Sequence, residues 1–343
     1  MKTRKIRFVL IVLAALTAVC IVAVVVLWAR VDSNAVANER TVLIPQGADY
    51  AELLDSLGAD GAYIVDKECF DNVAVAFSLP DMVRPGRYIM RPGMSYVDVV
   101  KMFRNGLQTP VKLTFNNIRT MPQLAGRLAQ QIESDSLELL SYLTSEDVAE
   151  KYGFDSANFI GMFIPNTYEV WWTVSPDALL DRMKKEYDRF WNEERMSKLE
   201  ATGLTREQAI TLASIVYEET KMSDEMPIVA GVYMNRLEKG MPLQADPTVK
   251  FAVGDFSIKR VLNRHLDVES PYNTYKNAGL PPGPICMPSV RAVDAVLDYD
   301  KHNYLYFCAK PDFSGYHSFA VTLAQHNKNA RAYYDALNRA GIK

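Results

Sequence analysis

The strongest feature in the hydrophobic pattern is an unbroken apolar run from Phe8 to Trp28, softened only by Thr17 and Cys20. Its length matches the roughly 20 residues a helix needs to cross a bilayer. A cleavable signal has a shorter apolar core, roughly 7–15 residues, and ends in small residues rather than Val26-Leu27-Trp28. Lys2, Arg4, Lys5 and Arg7 precede the run, and cationic residues stay on the cytoplasmic side. The pattern therefore predicts a cytoplasmic tail over 1–7, a single transmembrane helix over 8–28 and a polar tether over 29–40. The body would then lie outside the cytoplasm, at the inner membrane and in the periplasmic or other extracytoplasmic space. A processed signal peptide is the alternative, and it exports the body as well.

Beyond the tether the period shortens. Thr41-Val42-Leu43-Ile44 predicts a strand, closed by Pro45-Gln46-Gly47, and Tyr50 to Leu57 predicts a helix with one apolar side. A related phrase then returns. Gly47-Ala48-Asp49-Tyr50-Ala51-Glu52-Leu53-Leu54 resembles Gly93-Met94-Ser95-Tyr96-Val97-Asp98-Val99-Val100, and the strand-like Arg87-Tyr88-Ile89-Met90 precedes the second copy. Two strand-turn-helix copies suggest a small module over 41–106, unless two turn-then-helix starts merely coincide. Asn105-Gly106 and Pro110 mark its end, and 107–343 forms the larger part. There Val111 to Phe115 reads as a strand and Pro176 to Lys198 as one amphipathic helix, while Phe163-Ile164-Pro165-Asn166-Thr167-Tyr168 reads as a cavity lining. Helices dominate among a few short strands, so the expected class is α+β.

The most informative helix starts at Thr205, where Gln208 three residues on completes a capping box. A turn of about 100° per residue puts Ala209, Leu212, Ile215 and Val216 on one stripe, and Glu219 on the same stripe. Glu218 falls opposite, with Glu207, Thr211 and Ser214, on what reads as a solvated face. A carboxyl turned towards the core loses hydration, which disfavours its charge and raises its pKa. A carboxylic acid that stays neutral near pH 7 is a proton donor of the kind glycosidic cleavage needs. The alternative is that Glu219 pairs with a buried arginine such as Arg236.

Composition narrows the ligand. The 343 residues carry 38 basic and 41 acidic side chains, a net charge of -3, which argues against nucleic acid as a partner. Four cysteines are too few for a disulfide scaffold, although a Cys286–Cys308 bridge is one option. His265, His302, His317 and His326 lack the spacing of a zinc site, and no nucleophile elbow or phosphate loop occurs. No metal or cofactor is expected. The chain beyond the helix is instead rich in groups that hold sugars: Asn235, Arg236, Gln244, Asp246, Thr248, Tyr272, Asn273 and Tyr275. Tyrosine faces stack on pyranose rings, and amides and carboxylates bond hydroxyls. Ordinary turn chemistry accounts for any single one of them equally well.

These phrases together resemble a known family, the endolytic murein transglycosylases of the MltG/YceG-like type. The resemblance rests on Leu212-Ala213-Ser214-Ile215-Val216-x-x-Glu219-Thr220, Asn235-Arg236-Leu237, and Gly240-Met241-x-Leu243-Gln244-x-Asp246-Pro247-Thr248-Val249. It continues through Tyr272-Asn273-Thr274-Tyr275, Gly279-Leu280-Pro281-Pro282-Gly283-Pro284-Ile285, Tyr304-Leu305-Tyr306-Phe307, His317-x-Phe319 and His326-Asn327. It implies Glu219 as the catalytic acid, and it adds His317 to the candidate substrate-binding residues. It also implies a LysM-like glycan-binding module over 41–106 and a catalytic domain over 107–343. The implied substrate is the peptidoglycan strand, cut between N-acetylmuramic acid and N-acetylglucosamine with 1,6-anhydro ends, and the implied partners are penicillin-binding synthases. Three departures stand out. Tyr217 replaces an acid, Ile160 and Asn166 flank Gly161 and Pro165 where the family has Glu and Asp, and Cys286-Met287-Pro288-Ser289 replaces a commoner Asn-Pro-Gly. Two rivals remain open: a hydrolase with Asp246 as second carboxylate, and a non-catalytic wall-binding scaffold.

Overall fold

A computed structural model describes residues 2–58 and 62–341, without the side chains of residues 2–5. The side chains of Lys2, Arg4 and Lys5 in the expected basic tail thus lie outside the described residues. The fold is α+β and divides into two compact units.

The first unit comprises Met1–Lys112, Gln131–Glu133 and Glu169–Val174. It opens with helix α1 (Lys2–Val31), and an 18-residue stretch within its segment Ile6–Val31 has a mean hydropathy of 3.3 and no buried share. Among the described residues this helix alone is long and apolar enough to cross a membrane. Within the stretch read as a tether, Ala35 and Val36 are fully buried, and the Ala35 N–H donates to the Met94 carbonyl at 2.8 Å. Next come β1 (Arg40–Ile44), α2 (Tyr50–Ser56), α3 (Lys67–Ala76), β2 (Gly86–Met90) and α4 (Tyr96–Asn105). β1 and β2 pair antiparallel, with Arg40 opposite Met90 and Ile44 opposite Gly86.

The duplicated phrase is a duplicated geometry. Gly47 and Gly93 take left-handed φ of 81° and 90°, where a Cβ would be strained. Two residues later Asp49 caps α2 with Glu52, and Ser95 caps α4 with Asp98, both as full capping boxes. Tyr88 from β2 meets Phe103 from α4 edge to face at 5.1 Å, and both are fully buried. Their burial contributes about 1.5–3 kcal/mol per side chain.

The second unit comprises Leu113–Gln130, Ser134–Tyr168 and Ser175–Lys343. Its elements begin with β3 (Val111–Phe115), α5 (Met121–Ala129), α6 (Ser136–Leu143), α7 (Glu146–Lys151) and β4 (Asn166–Val170). β3 and β4 pair, and the Thr114 and Thr167 hydroxyls bond at 2.9 Å. Phe163, Ile164 and Tyr168 are core, with Phe115 packed on Phe163 at 6.3 Å and on Tyr168 at 5.5 Å, and Phe163-Ile164-Pro165 also line a small apolar cavity with Phe190 and Ile210. The long amphipathic helix is two, α8 (Pro176–Phe190) and α9 (Glu193–Thr202). The break lies where Asn192 turns extended and caps the backbone of Arg195.

α10 (Arg206–Glu219) starts at the expected capping box of Thr205 and Gln208. Its surroundings are less one-sided than the wheel suggested, because every residue from Ala209 to Val216 is buried. Thr211 and Ser214 therefore do not face water. Ser214 is satisfied internally, donating to the Thr211 carbonyl at 2.7 Å and accepting from the Ile285 N–H at 3.0 Å. Around this central helix stand α11 (Met226–Glu238), α12 (Asp246–Val253), α13 (Asn263–Leu266) and α14 (Val290–Leu297). The antiparallel pair β5 (Tyr306–Ala309) and β6 (His317–Ala320) comes next, with α15 (Leu323–Arg339) last.

α11 passes so close to the chain after α14 that Gly231 has no room for a side chain. A Cβ there would sit 2.3 Å from the Asp300 carbonyl oxygen and 2.8 Å from His302 Nε2. Gly231→Ala is expected to destabilise the protein by about 3 kcal/mol, the upper range for overpacking. Gly126→Ala in α5, which meets nothing within 4 Å, is expected to be neutral or to stabilise by about 0.5–1 kcal/mol. Chemical denaturation of the two variants checks the contrast, and equal stabilities would refute it.

Candidate active site

Glu219 is the last residue of α10, and Thr220 after it is already extended. The carboxyl is closely packed on most sides but opens on a cleft of about 500 Å³, within the size range of small-ligand sites. Tyr233 from α11 donates to Glu219 Oε1 at 2.7 Å. Burial pushes the Glu219 carboxyl from its usual 4.5 to about 7. The Tyr233 bond acts against that rise, the negative charge of Asp246 adds to it, and Lys250 and Arg236 oppose it. Tyr233 itself is held far above its ordinary range, first by burial and then by the neighbouring carboxylate. It remains a donor throughout the physiological range.

Arg236 does not neutralise Glu219 by a direct ion pair. Its Nε donates to the Leu305 carbonyl at 2.7 Å, and its Nη1 donates to the carbonyls of Pro242 and Leu243 at 3.1 and 2.8 Å and to Gln244 Oε1 at 3.3 Å. The guanidinium lies over the Tyr306 ring, 5.2 Å from its centroid. One buried cation thus fastens the loop after α11 to the start of β5. Gln244 in that loop has a left-handed φ of 51°, a strained conformation of the sort that collects at functional sites. Asp246 opens α12 at the cleft and accepts from the Tyr275 hydroxyl at 2.6 Å.

The expected site residues divide cleanly. Glu219, Arg236, Gln244, Asp246, Tyr275 and His317 line the cleft together. Four others lie outside that lining and act as struts. Thr248 is fully buried, its hydroxyl on the Ala245 carbonyl and on Thr274. Asn273 is fully buried and donates to the carbonyls of Leu266 and Val268. Asn235 ties α11 to the His302 and Tyr304 carbonyls at 2.7 and 3.0 Å. Tyr272 packs against Phe251 with ring centroids 4.7 Å apart.

Glu218 also departs from expectation. It is not solvated: its side chain is 16% exposed and pairs with Arg119 at 2.8 Å, a residue from the segment before α5. Cys286 is buried and Cys308 half-buried, both as free thiols, so the optional bridge is absent.

Sequence reasoning missed Tyr233 as the partner of Glu219, and it placed none of Tyr306, Phe307, Cys308, His326 and Tyr334 in the cleft that they line. Tyr233 sits in an apolar run where a buried tyrosine looks like ordinary core. Tyr306 and His326 stack at 5.4 Å, and burial lowers the His326 pKa. The lining thus combines aromatic side chains with the carboxyls of Glu219 and Asp246. The arrangement suits a ring-shaped, hydroxyl-rich ligand that is protonated at one atom.

A sequence model of the YceG-like family matches residues 42–332. This chain belongs to the YceG-like family. A protein of Bacillus subtilis named endolytic murein transglycosylase is 27% identical over 325 residues, covering 90% of this chain and 87% of the relative. A Streptococcus pneumoniae protein of the same name is 25% identical over 341 residues, and the match covers 89% of this chain but 60% of that longer protein. The crystal structure of a yceG-like protein from Listeria monocytogenes superimposes with a TM-score of 0.57 at 27% identity, covering 85% of this chain and 99% of that one. The YceG-like match spans every residue of α10 and all the cleft residues up to His326.

Proposed function

We propose that this protein is an endolytic murein transglycosylase that cuts the β-1,4 bond between N-acetylmuramic acid and N-acetylglucosamine in nascent glycan strands and so limits their length. The observation that carries the reading is Glu219, a cleft carboxyl brought to about 7 by its surroundings. At neutral pH an appreciable fraction is protonated and can give its proton to the glycosidic oxygen as the bond breaks. The muramyl C6 hydroxyl then loses its proton and closes on C1, forming the 1,6-anhydro end. In the simplest cycle the Glu219 carboxylate takes that proton back. An internal hydroxyl replaces water as nucleophile, and its proximity supplies what a bimolecular attack lacks. The names of the Bacillus and Streptococcus relatives support the same reaction.

The remaining parts fit an enzyme of the cell envelope. α1 serves as a single membrane anchor with its N-terminus in the cytoplasm and the cleft outside, which favours work near penicillin-binding synthases. The βααβ order of β1, α2, α3 and β2 supports a LysM-like glycan-binding module over 41–106, with catalysis in 107–343. Arg236, Gln244, Asp246, Tyr275 and His317 hold the sugar.

The test is digestion of nascent murein by the full-length chain in detergent, with products read by mass spectrometry. Anhydro ends, lighter by one water, are expected. Hydrated ends would instead favour hydrolysis with Asp246 as second carboxylate, since it lines the same cleft as Glu219. Tyr233→Phe removes the hydrogen bond that favours the Glu219 carboxylate, so the acid holds its proton to higher pH. The alkaline limb of kcat/KM should move up by about 0.5–1 in pH, the equivalent of one hydrogen bond, with roughly tenfold lower activity. An unmoved limb would show that the bond does not act on the titrating acid.

A further inference from the structure

The simplest cycle asks Glu219 to serve as both acid and base, yet the cleft holds another group built for the second task. Glu225, at the start of α11, is 3% exposed. Its carboxylate accepts the His317 backbone N–H at 2.7 Å, His317 Nδ1 at 2.7 Å and the Thr220 hydroxyl at 3.1 Å. A buried carboxylate on Nδ1 sets the tautomer of an imidazole and steadies the cation formed when it takes a proton. With Nδ1 engaged, Nε2 is the nitrogen left to the cleft that His317 lines. Thr220 directly follows Glu219, so one residue step joins the acid to the pair. Phe307 packs edge-on against both Tyr233, at 5.8 Å, and His317, at 5.2 Å. The imidazole and the partner of the acid are therefore separated by a single aromatic ring along one wall.

That placement matches the stereochemistry. The 1,6-anhydro bridge closes on the sugar face from which the β-linked leaving oxygen departs, so proton donor and proton acceptor must stand on the same side of the ring. We propose that His317, held by Glu225, is the base that takes the proton of the muramyl C6 hydroxyl, while Glu219 keeps the acid's role. This rests on the transglycosylase reading and reassigns half of its proton traffic. The O6–H proton passes to His317 Nε2, O6 bonds to C1, the C1–O4 bond breaks, and O4 takes the Glu219 proton. Solvent then returns the imidazolium proton to the Glu219 carboxylate, and the enzyme is restored.

Such a cycle requires two ionisation states at once: the imidazole must be neutral and Glu219 protonated. The titratable groups that share the cleft with His317 are Glu219 of α10, Tyr233 and Arg236 of α11, Asp246 of α12 with its partner Tyr275, then Tyr306 and Cys308 of β5, and His326 and Tyr334 of α15. Next to His317 in the chain, the Tyr316 hydroxyl donates to Asp224. The full-length chain in detergent is assayed on nascent murein across pH, with anhydro ends counted by mass spectrometry. The wild type should give a bell-shaped kcat/KM. His317→Gln should lose about 10²–10³ in kcat and also lose the acidic limb, keeping only the alkaline limb of Glu219. Glu225→Gln, which keeps a hydrogen-bond acceptor on Nδ1 but removes the charge that steadies the imidazolium, should retain anhydro products and lose about tenfold in kcat. It also provides the test if His317→Gln unfolds, which a thermal melt would reveal. An acidic limb that survives His317→Gln, an undiminished kcat in Glu225→Gln, or a single-limbed wild-type profile overturns the proposal while anhydro products leave the transglycosylase reading standing. Hydrated products from the wild type would overturn that reading itself.

Discussion

Glu219→Gln in the full-length chain is expected to reduce murein cleavage by about 10²–10⁴-fold, the range for removing a general acid, with little change in substrate binding. Gln preserves the shape and can still accept the Tyr233 hydroxyl at Oε1, so the loss reports the missing proton. The same variant carries a stability signature of opposite sign. Burial holds the folded-state carboxyl at about 7 against its usual 4.5, so the native state binds the proton more tightly than the unfolded chain does. Wild-type stability should therefore fall as pH rises from the unfolded value to the folded one, and stay level above it. The amide pays no such penalty. Glu219→Gln should melt higher than the wild type at pH 8, by on the order of 3 kcal/mol at most, with the gain vanishing near pH 4.5. A melting difference independent of pH, or undiminished cleavage, would remove Glu219 from the acid's position.

Arg236→Met is the second large effect, and it falls on stability first. The substitution keeps an apolar stem but strands the carbonyls of Leu305, Pro242 and Leu243 in a buried place. At roughly 1–3 kcal/mol per unsatisfied group, a loss of about 4 kcal/mol or more is expected in denaturant titration. Arg236→Lys should recover less than half of that, because an ammonium cannot span three carbonyls with the planar fork of a guanidinium. The charge also matters to chemistry, since Arg236 lowers the Glu219 pKa. Any Arg236→Met protein that folds should therefore keep its acid protonated to higher pH. A loss below about 1 kcal/mol would mean that water can reach and satisfy the loop carbonyls.

Much of the architecture was readable along the chain because it is local. Thr205 with Gln208 announces its helix from three residues away and is a capping box in the structure, and the repeated Gly-x-x-Tyr-x-acid phrase marks the starts of α2 and α4. The side of α10 on which Glu219 lies, in line with Leu212 and Val216, follows from helical period alone. The failures are equally specific. Thr211 and Ser214 look like a polar face, yet α10 is wrapped on all sides and Ser214 finds its partners in Thr211 and Ile285. Thr248 and Asn273 look like sugar ligands, but a buried loop must satisfy its own carbonyls and uses them for that. Glu218 looks solvated until Arg119 arrives from a distant segment.

The sequence by itself therefore determined the apolar N-terminal helix, the duplicated strand-turn-helix and the side of α10 on which Glu219 lies, because each depends on neighbours within one or two helical turns. Tertiary structure alone decided which polar residues reach the cleft, that Tyr233 steadies Glu219, and that Glu225 holds His317. Those outcomes depend on desolvation and on contacts between segments far apart in the chain. Neither quantity exists until the helices have packed.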